Sequence, residues 1–177
     1  MSFRRGFKQD CERVATEVRE ELRLRLDEPI DMSRLASILE IPVHALATYV
    51  RAAGLPHGPD VDEIYEKVAA FTTYRGPHRT IVYNDRHALP RHRSNLAHEL
   101  AHALLHHPPR SEQLSPKDEA AHEQEAGWMG GVLMLTRSQA LHLARLRTPA
   151  PIILQQFEIS QQMLRFRMNV TGAARLA

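Results

Sequence analysis

The residues with the most chemistry in them lie close together. Of 177 residues eleven are histidine, and seven of these (His87, His92, His98, His102, His106, His107 and His122) fall within one stretch of 36. Inside it, His98-Glu99-Leu100-Ala101-His102 spells His-Glu-x-x-His. On a helix, residues four apart stand one above the other, so both imidazoles leave the same face and two nitrogens can reach one zinc ion at about 2.0–2.1 Å. Glu99 is one residue round from His98. It stands beside the ion rather than on it, where a carboxylate can take a proton from a water that the metal activates. A catalytic zinc takes three protein ligands and keeps a fourth position open. His122, Glu123 and Glu125 are the candidates for the third. Glu123 and Glu125 lie about 200° apart on a helix, so they cannot both face the ion. Ala126, Met129, Val132 and Leu133 mark the packed side of that helix. Glu123, three residues before Ala126, can share the inward side and Glu125 reads as solvated, with the choice of third ligand left open between them.

Such ligands need rigid supports. Leu96, Ala97, Leu100, Ala101, Leu104 and Leu105 flank the pattern with apolar surface and predict a helix over about 93–106, ended by Pro108 and Pro109. A polar loop leads to Pro116, and a second helix is expected over about 117–135. Upstream, 69–74 and 79–84 are rich in β-branched and aromatic residues around Gly76-Pro77, which predicts a hairpin with 80–83 as its more buried strand. Phe7, Cys11, Val14, Val18, Leu22 and Leu26 recur at a helical period over 7–26. Asp31 is the expected N-cap of a helix running to Glu40, with Ile41-Pro42 as its stop. A further short helix is expected over 43–53, closed by Gly54, and 55–60 is a loop. After the histidine-rich region, 138–146, 152–156 and 160–168 read as helices, the last with Ser160 as N-cap and Gly172 beyond its end. Mostly helix with one small sheet before the histidine-rich helix is an α+β pattern.

The length and 20.2 kDa mass suit one domain over 1–177, divisible into a helical N-terminal part (1–56), a core (57–135) and a helical C-terminal part (136–177). With 43% hydrophobic and 25% charged residues, a packed core is feasible. No apolar run approaches the roughly 18 residues that span a bilayer. The basic start is followed by charged residues, so neither a signal peptide nor a membrane partner is expected and the cytoplasm is the expected location. The lone Cys11 excludes an internal disulfide and a cysteine-built zinc ribbon, and reads as a small apolar filler. A net charge of +2 leaves no nucleic-acid footprint, so helices at 45–55 or 160–168 are not expected to read DNA. The charge is uneven: six arginines face only Glu158 over 137–177, while 108–135 is acidic.

Other residues have plainer readings. His106 and His107 suit the cationic preference of a helix C-terminus. Arg91, His92 and Arg93 stand at a helix N-terminus, where positive charge needs an acidic partner or a substrate carboxylate. Tyr74 and Tyr83 read as strand tyrosines, with a hydrogen bond to a reaction oxyanion as the functional alternative. Trp128 reads as a core or interface anchor.

The stretch from Arg79-TIVYND-Asp85 through Arg91-HRSNLAHELAHALLHHPP-Pro109 to Glu123-QEAGWMGGVLML-Leu135 resembles the ImmA/IrrE family of metallo-endopeptidases. Arg91 and Arg93 match the two arginines of the family's R-x-R-F-T-L-A-H-E-L-G-H helix. Ala97, His98, Glu99, Leu100 and His102 match its zinc-binding part, and Glu123, Ala126, Leu133 and Met134 match the later E-x-x-A-N-x-F-A-x-x-L-L-M-P. The likeness covers about 57 residues, 79–135, with weaker likeness in the flanks. This chain departs from the pattern at Ser94-Asn95, Ala101, Gly127, Met129 and Thr136, none of them a ligand or the base. The resemblance implies a mostly helical zincin-like domain in which His98, His102 and Glu123 bind Zn2+ (or Mn2+) and Glu99 is the general base. It implies an endopeptidase whose substrate is a protein, typically a helix-turn-helix repressor, so that cleavage regulates transcription under stress. The alternative is a module of the same fold that docks to a repressor or a toxin or antitoxin without cutting it.

Overall fold

The computed structural model describes residues 3–56, 58–109 and 114–176. Its elements, in chain order, are α1 (Phe7–Glu21), α2 (Met32–Ile38), β1 (Val43–Ala45), α3 (Leu46–Ala52), α4 (Pro59–Lys67), β2 (Ala70–Arg75), β3 (His78–Tyr83), α5 (Leu89–Leu104), α6 (Pro116–Met134), α7 (Arg137–Arg145), α8 (Ala150–Phe157) and α9 (Gln161–Thr171). A 3-10 turn over Ala173–Arg175 follows. The molecule is α+β and mostly helical.

The expected hairpin forms. Gly76 turns the chain at φ 61°, a left-handed conformation that costs glycine nothing, and β2 and β3 pair antiparallel with Thr72 opposite Ile81. Ile81 and Val82 are buried, as the apolar run predicts. The sheet has a third strand where a helix is expected. Val43–Ala45 is β1 and pairs in parallel with β3, Val43 against Ile81, so the sheet order is β1-β3-β2. Helix α3 therefore begins only at Leu46. The reason is non-local: three residues after Pro42 find a free edge on β3, and the Ile81 N–H donates to Pro42 O at 2.9 Å. The strand β2 is the other edge.

Helix α4 corrects the reading of 55–60 as loop throughout. Pro59 opens it, Asp60 and Asp62 occupy its first turn, and Lys67 its last. These are ordinary helix signals in a short segment. Of the loop that remains, His57 lies outside the described residues. Helix α1 stops at Glu21, five residues before the expected end, because Arg23 adopts φ 55° and the Leu24 N–H returns to Arg19 O at 2.9 Å. Asp31 caps α2 as expected, accepting from the Ser33 and Arg34 N–H groups. Ser160 caps α9, and Gly172, at φ 80°, ends it.

The core is organised around α6. Its second half is buried on every side (Met129, Gly130, Gly131, Val132, Leu133 and Met134), which is the pattern of a helix surrounded by others. Helix α5 packs along it most extensively, with α1 and α9 on its other sides. At Gly130 the approach is close. A Cβ there would lie 3.2 Å from His98 N and 3.3 Å from the Ala97 carbonyl group. The absence of a side chain thus sets the spacing of α6 from the very turn of α5 that carries His98. Cys11 is buried between α1 and this core, and burial pushes its thiol up to about 12, in keeping with an inert filler. No helix among the described residues is long and apolar enough to cross a membrane.

Candidate metal centre

Helix α5 begins at Leu89, earlier than expected, with Pro90 in its first turn, where the lost N–H has no helical partner to miss. Arg93 is buried at its base. Its guanidinium donates to Ile30 O at 2.7 Å and pairs with Glu158 at 3.2 Å, so of the two partners expected it has the structural acid. Arg91 remains exposed, and His92 lies against the Tyr83 ring at 4.1 Å. One to three turns further on, Leu96, Leu100 and Ala101 press into the core and leave His98, Glu99 and His102 on the opposite, half-buried side.

There α5 meets α6. His98 Nε2 lies 3.1 Å from Glu123 Oε2, His102 Nε2 lies 3.2 Å from His98 Nε2, and His102 Nε2 lies 3.6 Å from Glu123 Oε1. The two histidines and the carboxylate are the His/Cys/Asp/Glu cluster among the described residues whose donor atoms all fall within 4.8 Å of one another. A tetrahedral ion with bonds of about 2.0–2.1 Å holds its ligands about 3.3–3.4 Å apart, and the observed separations bracket that value. The donor set also has the right chemistry: two imidazoles meet by the same nitrogen, and one carboxylate supplies a single negative charge. Burial, with the neighbouring His98, pushes His102 down to about 4, so near neutral pH its ring is uncharged and has a lone pair to offer. The residues present therefore fit a zinc ion.

Glu99 stands next to this cluster, and its Oε2 accepts a hydrogen bond of 2.6 Å from Thr72 Oγ1 on the edge strand β2. Strand β2 and helices α5 and α6 enclose an open cleft of about 320 Å³, lined by Phe71, Thr72 and Tyr74 on one side and by His98, Glu99 and Glu123 on the other. Tyr74, under the Arg79 guanidinium at 5.3 Å, reaches the cleft. Tyr83 does not line it. Part of the loop between α5 and α6, residues 110–113, lies outside the described residues.

Two expectations about the surroundings are corrected. Glu125 is not a solvated residue: its side chain is 25% exposed and its Oε2 lies 3.1 Å from His107 Nε2. His107 is not a helix-end cation at the surface. It is 4% exposed, stacked on His122 at 4.3 Å, and its Nδ1 lies 2.9 Å from His102 Nδ1. His106, at φ 55°, turns the chain after α5 so that His107 folds back beneath His102. Trp128 packs with Phe3, Phe166 and Lys8 as an aromatic anchor. Thr72 was not singled out by sequence reasoning. Its one signal is the strand alternation, which puts it on the same side of β2 as Tyr74.

A family model described as the IrrE N-terminal-like domain, of a peptidase family, matches residues 59–169, more than half of the chain. The match contains β2, β3, α5, α6 and all four residues of the cluster and its neighbouring carboxylate. No curated protein and no solved structure was found to match the chain.

Proposed function

Because the chain belongs to the IrrE N-terminal-like peptidase family, we propose that it is a zinc-dependent endopeptidase with His98, His102 and Glu123 as metal ligands and Glu99 as general base. The observation that carries the proposal is the convergence of those three donor atoms beside a fourth, carboxylate side chain on the wall of an open cleft. A bound zinc supplies Lewis acidity, which polarises a carbonyl and makes water a better acid. The remaining work belongs to the chain. Glu99 accepts the proton of the attacking water and returns it to the departing amine. Thr72 holds Glu99 Oε2 by its hydrogen bond, on the wall of the cleft that Glu99 lines. The free side of β2 offers backbone N–H and C=O groups to an extended peptide, the usual way in which a sheet edge takes a strand-like ligand. Tyr74 stands on that strand as a hydrogen-bond donor for the tetrahedral oxyanion.

The likeness of 79–135 to the ImmA/IrrE pattern supports a protein substrate of the helix-turn-helix repressor class, cut in the cytoplasm to change transcription under stress. Zinc is favoured over manganese by the two imidazoles and the tetrahedral spacing.

The test compares wild type, Glu99→Gln and His98→Ala, each incubated with a repressor encoded beside the protein, under zinc and under manganese. Wild type is expected to cut. Glu99→Gln should keep the metal and bind the repressor, but cut about 10²–10⁴-fold more slowly, because an amide has no useful basicity near neutral pH. His98→Ala should lose the metal and the activity together. If all three bind the repressor and none cuts it under either ion, the protein is a docking module and the peptidase proposal falls.

A further inference from the structure

We propose that His107 and Glu125 are positioning residues for the metal ligand His102, forming a Glu125–His107–His102 hydrogen-bonded relay that fixes the ring and tautomer in which His102 Nε2 faces the ion. The inference rests on the metal site proposed above and adds to it two residues that touch neither ion nor substrate.

The directions of the hydrogen bonds follow from valence. An ionised carboxylate only accepts, so at 3.1 Å from Glu125 Oε2 it is His107 Nε2 that carries the proton and donates. A neutral imidazole carries one N–H, which leaves His107 Nδ1 as an acceptor. The group 2.9 Å from it is His102 Nδ1, which must therefore donate. His102 has then used its one proton, and its Nε2 is a bare lone pair. That is the nitrogen turned toward His98 Nε2 and Glu123. The relay thus selects, without the ion, the one His102 tautomer that can bind it.

The backbone is built to deliver the ring. The left-handed turn at His106 lets the His107 N–H donate to His102 O at 3.0 Å, while Arg79 Nη2 donates to His107 O at 2.8 Å from β3. His107 is thereby held from both sides under the last turn of α5. This also resolves why two glutamates that cannot share a face of α6 both bear on the site. Glu123 reaches the ligand cluster directly, and Glu125 reaches it through two rings. Its charge, passed along the relay, raises the donor strength of His102, as carboxylates behind metal-bound histidines do.

The test reads zinc affinity by competition with a chromophoric chelator, and the histidine tautomers by long-range 1H–15N NMR of the zinc-free protein. His107→Phe and Glu125→Ala should each weaken zinc binding about 10–100-fold. The double variant should be no weaker than His107→Phe alone, because both changes cut the same relay. His106→Asn, which tolerates the same backbone turn, should bind as wild type does. In wild type, His102 should be the Nδ1–H tautomer and His107 the Nε2–H tautomer, and Glu125→Ala should make the His102 signal a mixture of both. A wild-type His107 protonated at Nδ1, or zinc affinity in both single variants within threefold of wild type, would overturn the relay. The NMR measurement keeps it falsifiable should His107→Phe fail to fold. His98→Ala separates the two readings. If it loses zinc while the relay variants do not, only the relay is wrong. If it binds zinc as wild type does, the metal site is misassigned and the relay falls with it.

Discussion

A carboxylate that works as a base has to present one oxygen to water and keep from turning the other toward it. If Glu99 is the base, as proposed above, Thr72 is placed to meet that need from a different element, donating to Glu99 Oε2 at 2.6 Å. The bond crosses from β2 to α5, so it ties the edge where a peptide would lie to the residue that would act on it. A hydrogen bond to a charged group contributes about 1.5–3 kcal/mol, and about 1.4 kcal/mol is tenfold in rate. Thr72→Val keeps the shape of the side chain and removes the hydroxyl. It is expected to lower kcat about 10–100-fold, with KM and bound zinc little changed, and Thr72→Ser should recover most of the loss. Steady-state kinetics with elemental analysis checks this. A variant with unchanged kcat would show that Glu99 is held without Thr72.

Of two glycines on α6, only Gly130 lies against α5, the helix of His98 and His102, and the contrast gives a paired prediction. Gly127 is exposed on α6, with nothing within 4 Å of where its Cβ would be. Gly127→Ala should therefore stabilise the protein by about 0.5–1 kcal/mol through helix propensity alone. Gly130 would set a Cβ at 3.2–3.3 Å from the backbone of Ala97 and His98. That backbone belongs to the middle of α5 and cannot swing aside as a side-chain tip can, so the same propensity gain is outweighed by an overpacking cost of about 1–3 kcal/mol. Gly130→Ala should lower the midpoint of chemical denaturation and weaken zinc binding by pushing His98 off its position. Equal effects of the two substitutions would show that α5 and α6 are not in close contact. The elements whose signals are local were legible in the sequence: the hairpin by its β-branched and aromatic residues around Gly76-Pro77, α5 and α6 by their apolar positions, α2 and α9 by Asp31 and Ser160 as caps. The five-residue His-Glu-x-x-His pattern and the packed side of the following helix also named His98, His102 and Glu123, whose donor atoms the structure brings within 4.8 Å of one another. What was not legible depends on partners far along the chain. Three residues at 43–45 become a strand only because β3 has an open edge. Glu125 reads as solvated when α6 is considered alone, and is covered only because a left-handed residue at His106 folds His107 back over it.

At the scale of the whole molecule, the far end of α6 is tied down by a buried charge that joins the two ends of the chain. Arg167 of α9 is fully buried. Its Nε donates to Leu135 O at 2.7 Å, capping the carbonyl end of α6, and its Nη2 pairs with Glu12 of α1 at 2.6 Å. The other Glu12 oxygen accepts from the Arg137 N–H at 2.8 Å, at the start of α7. Four helices thus meet at one ion pair. Only one of the two charges is fully desolvated, since the Glu12 side chain is 26% exposed. Removing the exposed partner strands the buried one, and stranding a buried charge costs about 3–5 kcal/mol. Glu12→Ala should fall at the lower end of that range, because water can reach the guanidinium through the space left behind. Replacing both partners by apolar residues of similar size removes the charge that needed compensation, so Glu12→Leu combined with Arg167→Met should be more stable than Glu12→Ala alone. Urea denaturation followed by circular dichroism gives both values. The metal readout supplies the link to function: α6 carries Glu123, so Glu12→Ala should also loosen zinc binding, while the apolar pair, which keeps the helix end packed, should largely restore it. A double variant less stable than Glu12→Ala would mean that the Leu135 carbonyl, and not the charge, is what Arg167 serves.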